Sequence, residues 1–183
     1  MSFQQGLSGL NASSRNLGVI GHNIANANTI GMKASRSEFS EVYASSAGVV
    51  GGVNVGLGVE VGSVSQEFSQ GNLTLTGNDL DIAINGSGFY QLTSTDGTTA
   101  YTRDGSFHID SQGALVTSSG FHVQPAITIP ANALSVTIAR DGTISVMKSG
   151  SATPTTAGQL QLVNFVNPAG LQSMGENMLL ETA

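Results

Sequence analysis

Residues 99–124, TAYTRDGSFHIDSQGALVTSSGFHVQ, decide how this chain folds. Apolar and polar residues alternate in this stretch, as at Phe107 and Ile109, and a period of two is typical of half-buried strands. Dipeptides that end in glycine, which accepts a positive φ, separate the short runs. They are Asp104-Gly105, Gln112-Gly113 and Ser119-Gly120. The stretch therefore predicts short antiparallel strands joined by hairpin turns.

The same alternation continues on both sides, from Val59 to Leu162, and it includes Leu73 and Leu75. The predicted strands recur roughly every eight to twelve residues with no helical period between them, which is typical of antiparallel sandwiches and barrels. We therefore expect a mainly β protein, in which an antiparallel β sandwich or barrel-like domain occupies residues 59–183.

The N-terminal segment has a helical period instead. Its apolar and small residues recur at alternating spacings of four and three, which is a heptad pattern. They are Phe3, Leu7, Leu10, Ser14, Leu17, Gly21 and Ile24. Residues 26–31 compete for backbone hydrogen bonds and end in glycine, so the helix is expected to end there. Arg15 is the only charged side chain of this helix, and we expect the helix to be packed on more than one side.

Two segments of different character connect the helix to the β domain. Residues 32–43 mix apolar and charged residues and predict either a second short helix or an extended arm. Residues 45–58 contain five glycines and no charge, which is typical of a pliable connector. The expected organisation is a helix with its end motif over residues 1–31, an arm and linker over 32–58, and the β domain over 59–183.

The chain is poor in charge and acidic. Charged residues make up 10% of its 183 residues, against roughly 25% in an ordinary soluble domain. Six Lys and Arg against twelve Asp and Glu give a net charge of −6, which argues against binding to nucleic acid or to an anionic membrane surface. No apolar run approaches the roughly 20 residues of a membrane span, so we expect no membrane insertion. The N-terminus lacks the basic and apolar regions of a cleaved signal peptide.

The residues that carry chemistry form no recognisable catalytic or ligand-binding pattern. The chain has no cysteine, which excludes a thiolate nucleophile and a cysteine-ligated zinc. The glycine-rich residues 51–58 lack the Lys-Ser/Thr pair and the following helix of a phosphate loop. His108 and His122 lie on neighbouring predicted strands, but zinc needs further ligands. We expect no enzymatic activity, no cofactor and no metal.

The end of the predicted helix carries a more specific signal. Residues 17–33, LGVIGHNIANANTIGMK, resemble the N-terminal motif NxANxxTxGFK of the bacterial flagellar rod and hook proteins. Six positions match this motif, while Met32 replaces its usual aromatic residue. The matching residues are Asn23, Ala25, Asn26, Thr29, Gly31 and Lys33.

Further blocks extend the resemblance to about residue 125. Residues 70–74 with 81–90 resemble the family block QG…T…LDxAIxGxGFF, and residues 101–116 resemble YTRDGxFxxDxxGxLV. The first 75 residues are most similar to hook proteins, whereas residues 121–181 are most similar to the distal rod protein.

The resemblance implies a structural axial subunit of the flagellar basal body or hook, located between the periplasm and the cell exterior. Its partners would be copies of itself and neighbouring axial proteins. It also implies export of the unfolded chain through the flagellar type III apparatus, without a cleaved signal peptide. Family members end in a long helix that pairs with the N-terminal one, and nothing after Leu171 predicts such a helix, so we expect a fragment, a truncated product or a short member.

We expect the heptad seam of Phe3, Leu7, Leu10, Leu17 and Ile24 to contact neighbouring subunits in a helical tube. An alternative is an extracellular β-rich binding or adhesin-like module, for which a composition rich in Gly, Thr and Asn is ordinary. A tubular subunit of a phage tail is a third candidate, but it would not share the motif that ends at Lys33. Carbohydrate sites usually expose aromatic platforms, whereas this chain has no Trp and 3 Tyr.

Overall fold

The computed structural model describes residues 2–43, 56–151 and 153–182. A single α-helix, α1 (Ser2–Ala25), comes first in this part of the chain and thirteen strands follow. The first strands are β1 (Ser35–Tyr43), β2 (Gly56–Gln66), β3 (Phe89–Thr93), β4 (Thr99–Thr102), β5 (Phe107–Ile109), β6 (Leu115–Thr117) and β7 (His122–Gln124). The others are β8 (Ala133–Ile138), β9 (Thr143–Lys148), β10 (Thr155–Gln159), β11 (Leu162–Val163), β12 (Gln172–Gly175) and β13 (Met178–Leu180).

The chain forms two compact units. The first comprises Met1–Thr29 and Lys33–Phe68, and the second comprises Ile30–Met32 and Ser69–Ala183. The boundary that the sequence placed between residues 58 and 59 lies inside β2, because β2 pairs along its whole length with β1 and not with the later strands.

The first unit is a helix against a two-stranded hairpin. β1 and β2 pair antiparallel from Ser35 opposite Gln66 to Tyr43 opposite Gly56, with a bulge between Glu38 and Phe39. The segment after the helix is therefore an extended arm, which was one of its two predicted forms. The pliable connector predicted over 45–58 lies mostly outside the described residues, and its last three residues belong to β2.

The second unit has two antiparallel sheets around one core. The larger sheet has the order β12-β13-β4-β3-β7-β6-β5, with β11 also paired to β3, and the smaller sheet has the order β10-β9-β8. Both contribute to a single cluster of buried side chains. This core includes Leu92, Phe107, Leu115 and Val123 from the larger sheet and Ile144 from the smaller one. The prediction of a mainly antiparallel β fold after one helix is confirmed, and the sheets close no barrel within the described residues.

Some of the local strand and turn predictions are wrong. The predicted strands around Ile82 and Ile127 form only isolated bridges, at Asp81 and Thr128. Residues 72–76, which include Leu73 and Leu75, belong to no strand, and both leucines are exposed. The Asp104-Gly105 pair joins no hairpin, because β4 pairs with β3 and β13 whereas β5 pairs with β6. The glycines at the other predicted turns, including Gly113 and Gly120, do have positive φ values.

Gly105 has a packing role instead of a turn role. Its carbonyl oxygen accepts a hydrogen bond of 2.9 Å from the backbone N–H of Ile82, and a Cβ at residue 105 would overlap the carbonyl oxygen of Ile82. The Tyr90 hydroxyl donates a hydrogen bond of 3.1 Å to the Ile82 carbonyl oxygen, and burial raises the pKa of the Tyr90 hydroxyl. Only glycine allows this approach of two backbones, which fixes the segment around Ile82 against the core.

We expect Gly105→Ala to destabilise the second unit by about 1–3 kcal/mol, because the added methyl group forces the two backbone segments apart. Gly71→Ala is the matched control, since a Cβ at residue 71 meets no atom within 4 Å. Urea unfolding followed by circular dichroism measures both variants. Equal stability of the two variants would contradict this role of Gly105.

Candidate assembly surface

Helix α1 packs on the β1–β2 hairpin through a face of small and polar residues. The residues of this face that are at least partly buried recur at spacings of three and four, so they form one stripe along the helix. They are Gln5, Ser8, Ala12, Asn16, Val19 and Asn23, and Gly9 is also partly buried on the same stripe. Ala12 is the most buried of them, at 4% exposure. Small side chains at this face let the helix lie close to the hairpin backbone.

Hydrogen bonds from the first half of the helix fix this contact. The Gln5 side-chain amide donates to the carbonyl oxygen of Gly56 at 2.5 Å, and the Ser8 hydroxyl accepts from the backbone N–H of Val59 at 3.3 Å. A Cβ at residue 58 would overlap the Ser8 hydroxyl, and Gly58 has a φ of +134°. Gly58 is therefore required where the helix and β2 approach each other.

Asn23 joins the end of the helix to the start of β1. Its side-chain N–H₂ donates to the carbonyl oxygen of Ser35 at 2.7 Å, and its side-chain oxygen accepts from the backbone N–H of Ser35 at 2.9 Å. A carboxamide carries one acceptor and a donor, as a peptide group does, so it satisfies both backbone groups of Ser35 at once. Asp lacks the donor, and Ser cannot span both groups.

Other residues of the family motif shape the turn after the helix. The Asn26 side chain donates to the carbonyl oxygen of His22 at 3.0 Å, and the backbone N–H of Thr29 donates to the Asn26 carbonyl oxygen at 2.9 Å. Gly31 has a φ of +76° and lies so close to Asp104 that a Cβ would be 2.8 Å from its backbone nitrogen. Ala25 is the exposed last residue of the helix, and Lys33 is half-buried just before β1. Sequence reasoning identified these residues only as a family signature.

The predicted heptad seam lies on the other side of the helix and is exposed. Its five large residues have between 47% and 81% of their surface accessible, and these are Phe3, Leu7, Leu10, Leu17 and Ile24. Sequence reasoning missed Ile20, which is 42% exposed and lies three residues after Leu17 and four before Ile24. That spacing was the signal for it. A Cβ at Gly21 on the seam meets nothing within 4 Å, so a partner has room to approach there.

Charge in the first unit is concentrated on the hairpin. Arg36 lies 3.6 Å from Glu38 and 3.4 Å from Glu67, all on exposed side chains. Hydrogen bonds from the Ser65 and Ser63 hydroxyls hold the pKa of the Glu38 carboxyl below its usual range, and Arg36 acts in the same direction. The seam itself carries no charged side chain, which suits contact with an apolar surface.

The candidate metal ligands do not come together. His108 and His122 each pair with Val116 of β6 from opposite sides, so one strand separates them by about 9–10 Å of sheet. In the described ranges no group of three or more His, Asp or Glu residues has the arrangement of a metal site. No helix in this part of the chain is long and apolar enough to cross a bilayer.

Comparison with known proteins places these features in one family. Residues 3–33 match the profile of the flagella basal body rod protein, and residues 83–146 match that of the flagellar hook protein FlgE/F/G D1 domain. The flagellar basal-body rod protein FlgG of Buchnera aphidicola subsp. Acyrthosiphon pisum is 45% identical over 95% of this chain and 71% of its own length. FlgG of Caulobacter vibrioides is 45% identical over 96% of this chain and 72% of its own length.

The chain belongs to the flagellar rod and hook protein family. The flagellar hook protein FlgE of Salmonella typhimurium is also similar, with 36% identity over 92% of this chain and 40% of its own length. The family predicted from the motif is confirmed, and so is the function as a structural axial subunit of the bacterial flagellum. As a rod and hook family protein, the chain assembles with copies of itself and with other axial proteins of the flagellar basal body.

We expect Asn23→Asp to loosen the first unit by about 1–3 kcal/mol at neutral pH, because the carboxylate faces the Ser35 carbonyl oxygen without a donor. Hydrogen exchange of the β1 amides measures this loss, and Asn11→Asp, at an exposed helix position, is the matched control. We expect proximity to the Ser35 carbonyl oxygen to raise the pKa of the new carboxyl above its unfolded value of about 3.9.

The protonated carboxyl can both donate and accept, so the difference between the two variants should shrink as the pH falls through the raised pKa and should grow above it. A difference that does not change with pH would contradict the two-bond contact of Asn23 with Ser35.

Proposed function

We propose that this protein is a subunit of the flagellar rod, and that it polymerises into a helical tube through the α1 seam together with contacts of its β unit. The observation that carries the proposal is the division of α1 into two faces. The small, polar face packs on the hairpin, whereas the large apolar side chains face outward. Another chain can cover the apolar face without disturbing the fold of the first unit.

The dimensions of the seam support a helix-on-helix contact. A helix of 24 residues is about 36 Å long, and the seam runs from Phe3 to Ile24, over nearly all of it. The spacings of four and three are those of helices that pack along their length, and Ser14 and Gly21 leave room for a close approach. The described residues of one copy contain no second α-helix to cover it, so a helical partner would have to come from elsewhere, such as another copy of the chain.

A contact between the seam of one copy and a different surface of the next is heterologous. Such a contact produces a helical assembly when its rotation does not close into a ring. The low charge of the chain, at 10%, fits this geometry, because a subunit surrounded by copies of itself has less surface facing water. The same acidic charge balance argues against a nucleic-acid partner.

The comparisons favour the rod over the hook. The chain is more similar to the relatives named as basal-body rod proteins, at 45% identity, than to the hook protein, at 36%. It also spans 71% of the first of these rod proteins but only 40% of the hook protein. We therefore infer a location in the rod, from the periplasm outward.

We further infer that the flagellar export apparatus secretes the chain and that residues 2–25 are retained afterwards. Cleavage in this region would remove part of α1, which supplies the contacts of Gln5 and Ser8 with the hairpin. It would also cut the segment over residues 3–33 that matches the rod-protein profile. Retention of the helix is thus a condition for the assembly proposed above.

We expect the double variant Leu10→Gln/Leu17→Gln to assemble about a hundredfold less readily. Each buried leucine contributes at least about 1.5 kcal/mol, and each 1.4 kcal/mol is a tenfold change. Both side chains are exposed in the single chain, so folding should be unchanged. Sedimentation and negative-stain electron microscopy measure the critical concentration, and circular dichroism tests the fold. Leu10→Met/Leu17→Met, which keeps length and apolar character, is the matched control.

Normal assembly of the glutamine variant would overturn the role of the seam. Equal loss in the methionine variant would also do so, because it would show dependence on exact shape at these two positions and not on burial of an apolar stripe.

We also expect the protein recovered from the rod fraction of flagellated cells to keep the N-terminal residues of α1. Mass spectrometry of that fraction identifies its first peptide, and a strain without a functional flagellar export apparatus should retain the protein inside the cell. A mature protein that begins after residue 25 would contradict this inference.

A further inference from the structure

Residues 72–76, NLTLT, form an unpaired strand-like segment in the second unit. Leucine and threonine alternate in it, which is the pattern of a half-buried strand, and both types of residue favour extended backbone or tolerate it well. Among the residues that the structure describes, no backbone hydrogen bond involves this segment. Leu73 is 53% exposed and Leu75 is fully exposed. The segment therefore has the pattern of a strand without a neighbour.

An acceptor for such a strand lies in the same unit. β8 is an edge strand of the smaller sheet, because it pairs with β9 on one side only within the described part of the chain. Its six residues, ALSVTI, include no charge and no proline, which are the usual protections of an edge. In contrast, β1 and β2, the edges in the first unit, carry Arg36, Glu38 and Glu60.

A groove of about 630 Å³ runs beside this edge. It lies between β8 and the end of β5, and its apolar wall contains Leu80, Ile109, Ile129 and Leu134. Ile109 and Leu134 are 41% and 71% exposed, respectively, so the wall is open to a partner. Two leucines at positions i and i+2 of a strand point to the same side about 7 Å apart, and they match a wall of this kind.

We propose that residues 72–76 of one copy add as an extra strand to the free edge of β8 in a second copy, so that Leu73 and Leu75 cover the groove. This inference rests on the self-assembly in the proposed function. Backbone hydrogen bonds to β8 would supply the affinity, and the two leucines would supply the register.

Charge supports a copy of this segment as the occupant. Asp79 and Asp110 border the groove, so an acidic strand would be repelled. Residues 68–78 include no charged side chain, although the whole chain has a net charge of −6. Residues 72–76 directly precede Gly77–Leu80, which line the groove of the same copy. A copy that directs its segment away from its own groove can donate it to the groove of the next copy and accept a segment from another, which produces an open chain of subunits.

Engineered disulfides test this proposal cleanly, because the chain has no cysteine of its own. Full-length Thr74→Cys protein is mixed with either Ser135→Cys or Thr137→Cys protein. Both positions are exposed on β8, and each tests one of two neighbouring registers of the added strand. Thr156→Cys on β10, at the other edge of the same sheet, is the matched control. We expect the mixed disulfide with β8 to exceed that with β10 by about tenfold, since the bond requires Cβ atoms about 4 Å apart.

The outcomes distinguish the strand addition from the axial assembly proposed above. Filaments that form without the mixed disulfide overturn the strand addition and leave the axial assembly intact, whereas absence of both filaments and disulfide overturns both. In the double variant Thr74→Cys/Ser135→Cys, a disulfide that forms only within one chain means that the segment fills its own groove, which overturns the exchange between copies.

A second measurement uses the leucines. Leu73→Gln/Leu75→Gln in the Thr74→Cys protein should lower the yield of mixed disulfide about tenfold or more, because the apolar burial in the groove is lost. Leu73→Met/Leu75→Met should keep the yield. An unchanged yield in the glutamine variant overturns the contact of these leucines with the groove.

Discussion

The two hydrogen bonds between the Asn23 carboxamide and the backbone of Ser35 tie the helix to the hairpin, and much of the first unit depends on them. Together with the hydrogen bonds of Gln5 and Ser8 to β2, they hold the rotation of α1 about its own axis. With Asn23 directed at β1, the stripe that contains Ser8 and Ala12 also faces the hairpin. The apolar seam from Phe3 to Ile24 then faces away from the hairpin. Hydrogen bonds near both ends of the helix thus determine which surface remains for other subunits.

This arrangement reverses the usual use of an amphipathic helix. In a monomeric domain the apolar stripe covers the core and the polar residues face water. In α1 the intrachain contact uses hydrogen bonds and small side chains such as Ala12, and the large side chains stay exposed. Burial of those side chains is then available to stabilise contacts between subunits. The second unit likewise combines buried and exposed apolar residues, with a buried core around Phe107 and an exposed strand-like segment at residues 72–76.

Much of the architecture could be predicted because its signals are local. The heptad spacing indicated the helix, which ends at Ala25 just before the predicted break, and glycine at the turns near residues 113 and 120 marked real reversals. The turn predicted at Asp104-Gly105 failed for a physical reason. The same dipeptide chemistry suits a tight turn and a close backbone approach, and only the position of Ile82, more than twenty residues away, distinguishes them.

The sequence by itself determined the helix, the antiparallel strands, the family and the apolar character of the seam, because periodicity and motif depend on residues close along the chain. The tertiary structure alone decided which face of α1 the hairpin covers, that β2 belongs with the helix, and that residues 72–76 stay unpaired beside a free edge. These features depend on contacts between residues far apart in sequence, such as Ser8 with Val59. Local patterns show that a surface needs a partner, and only the folded chain shows which surfaces already have one.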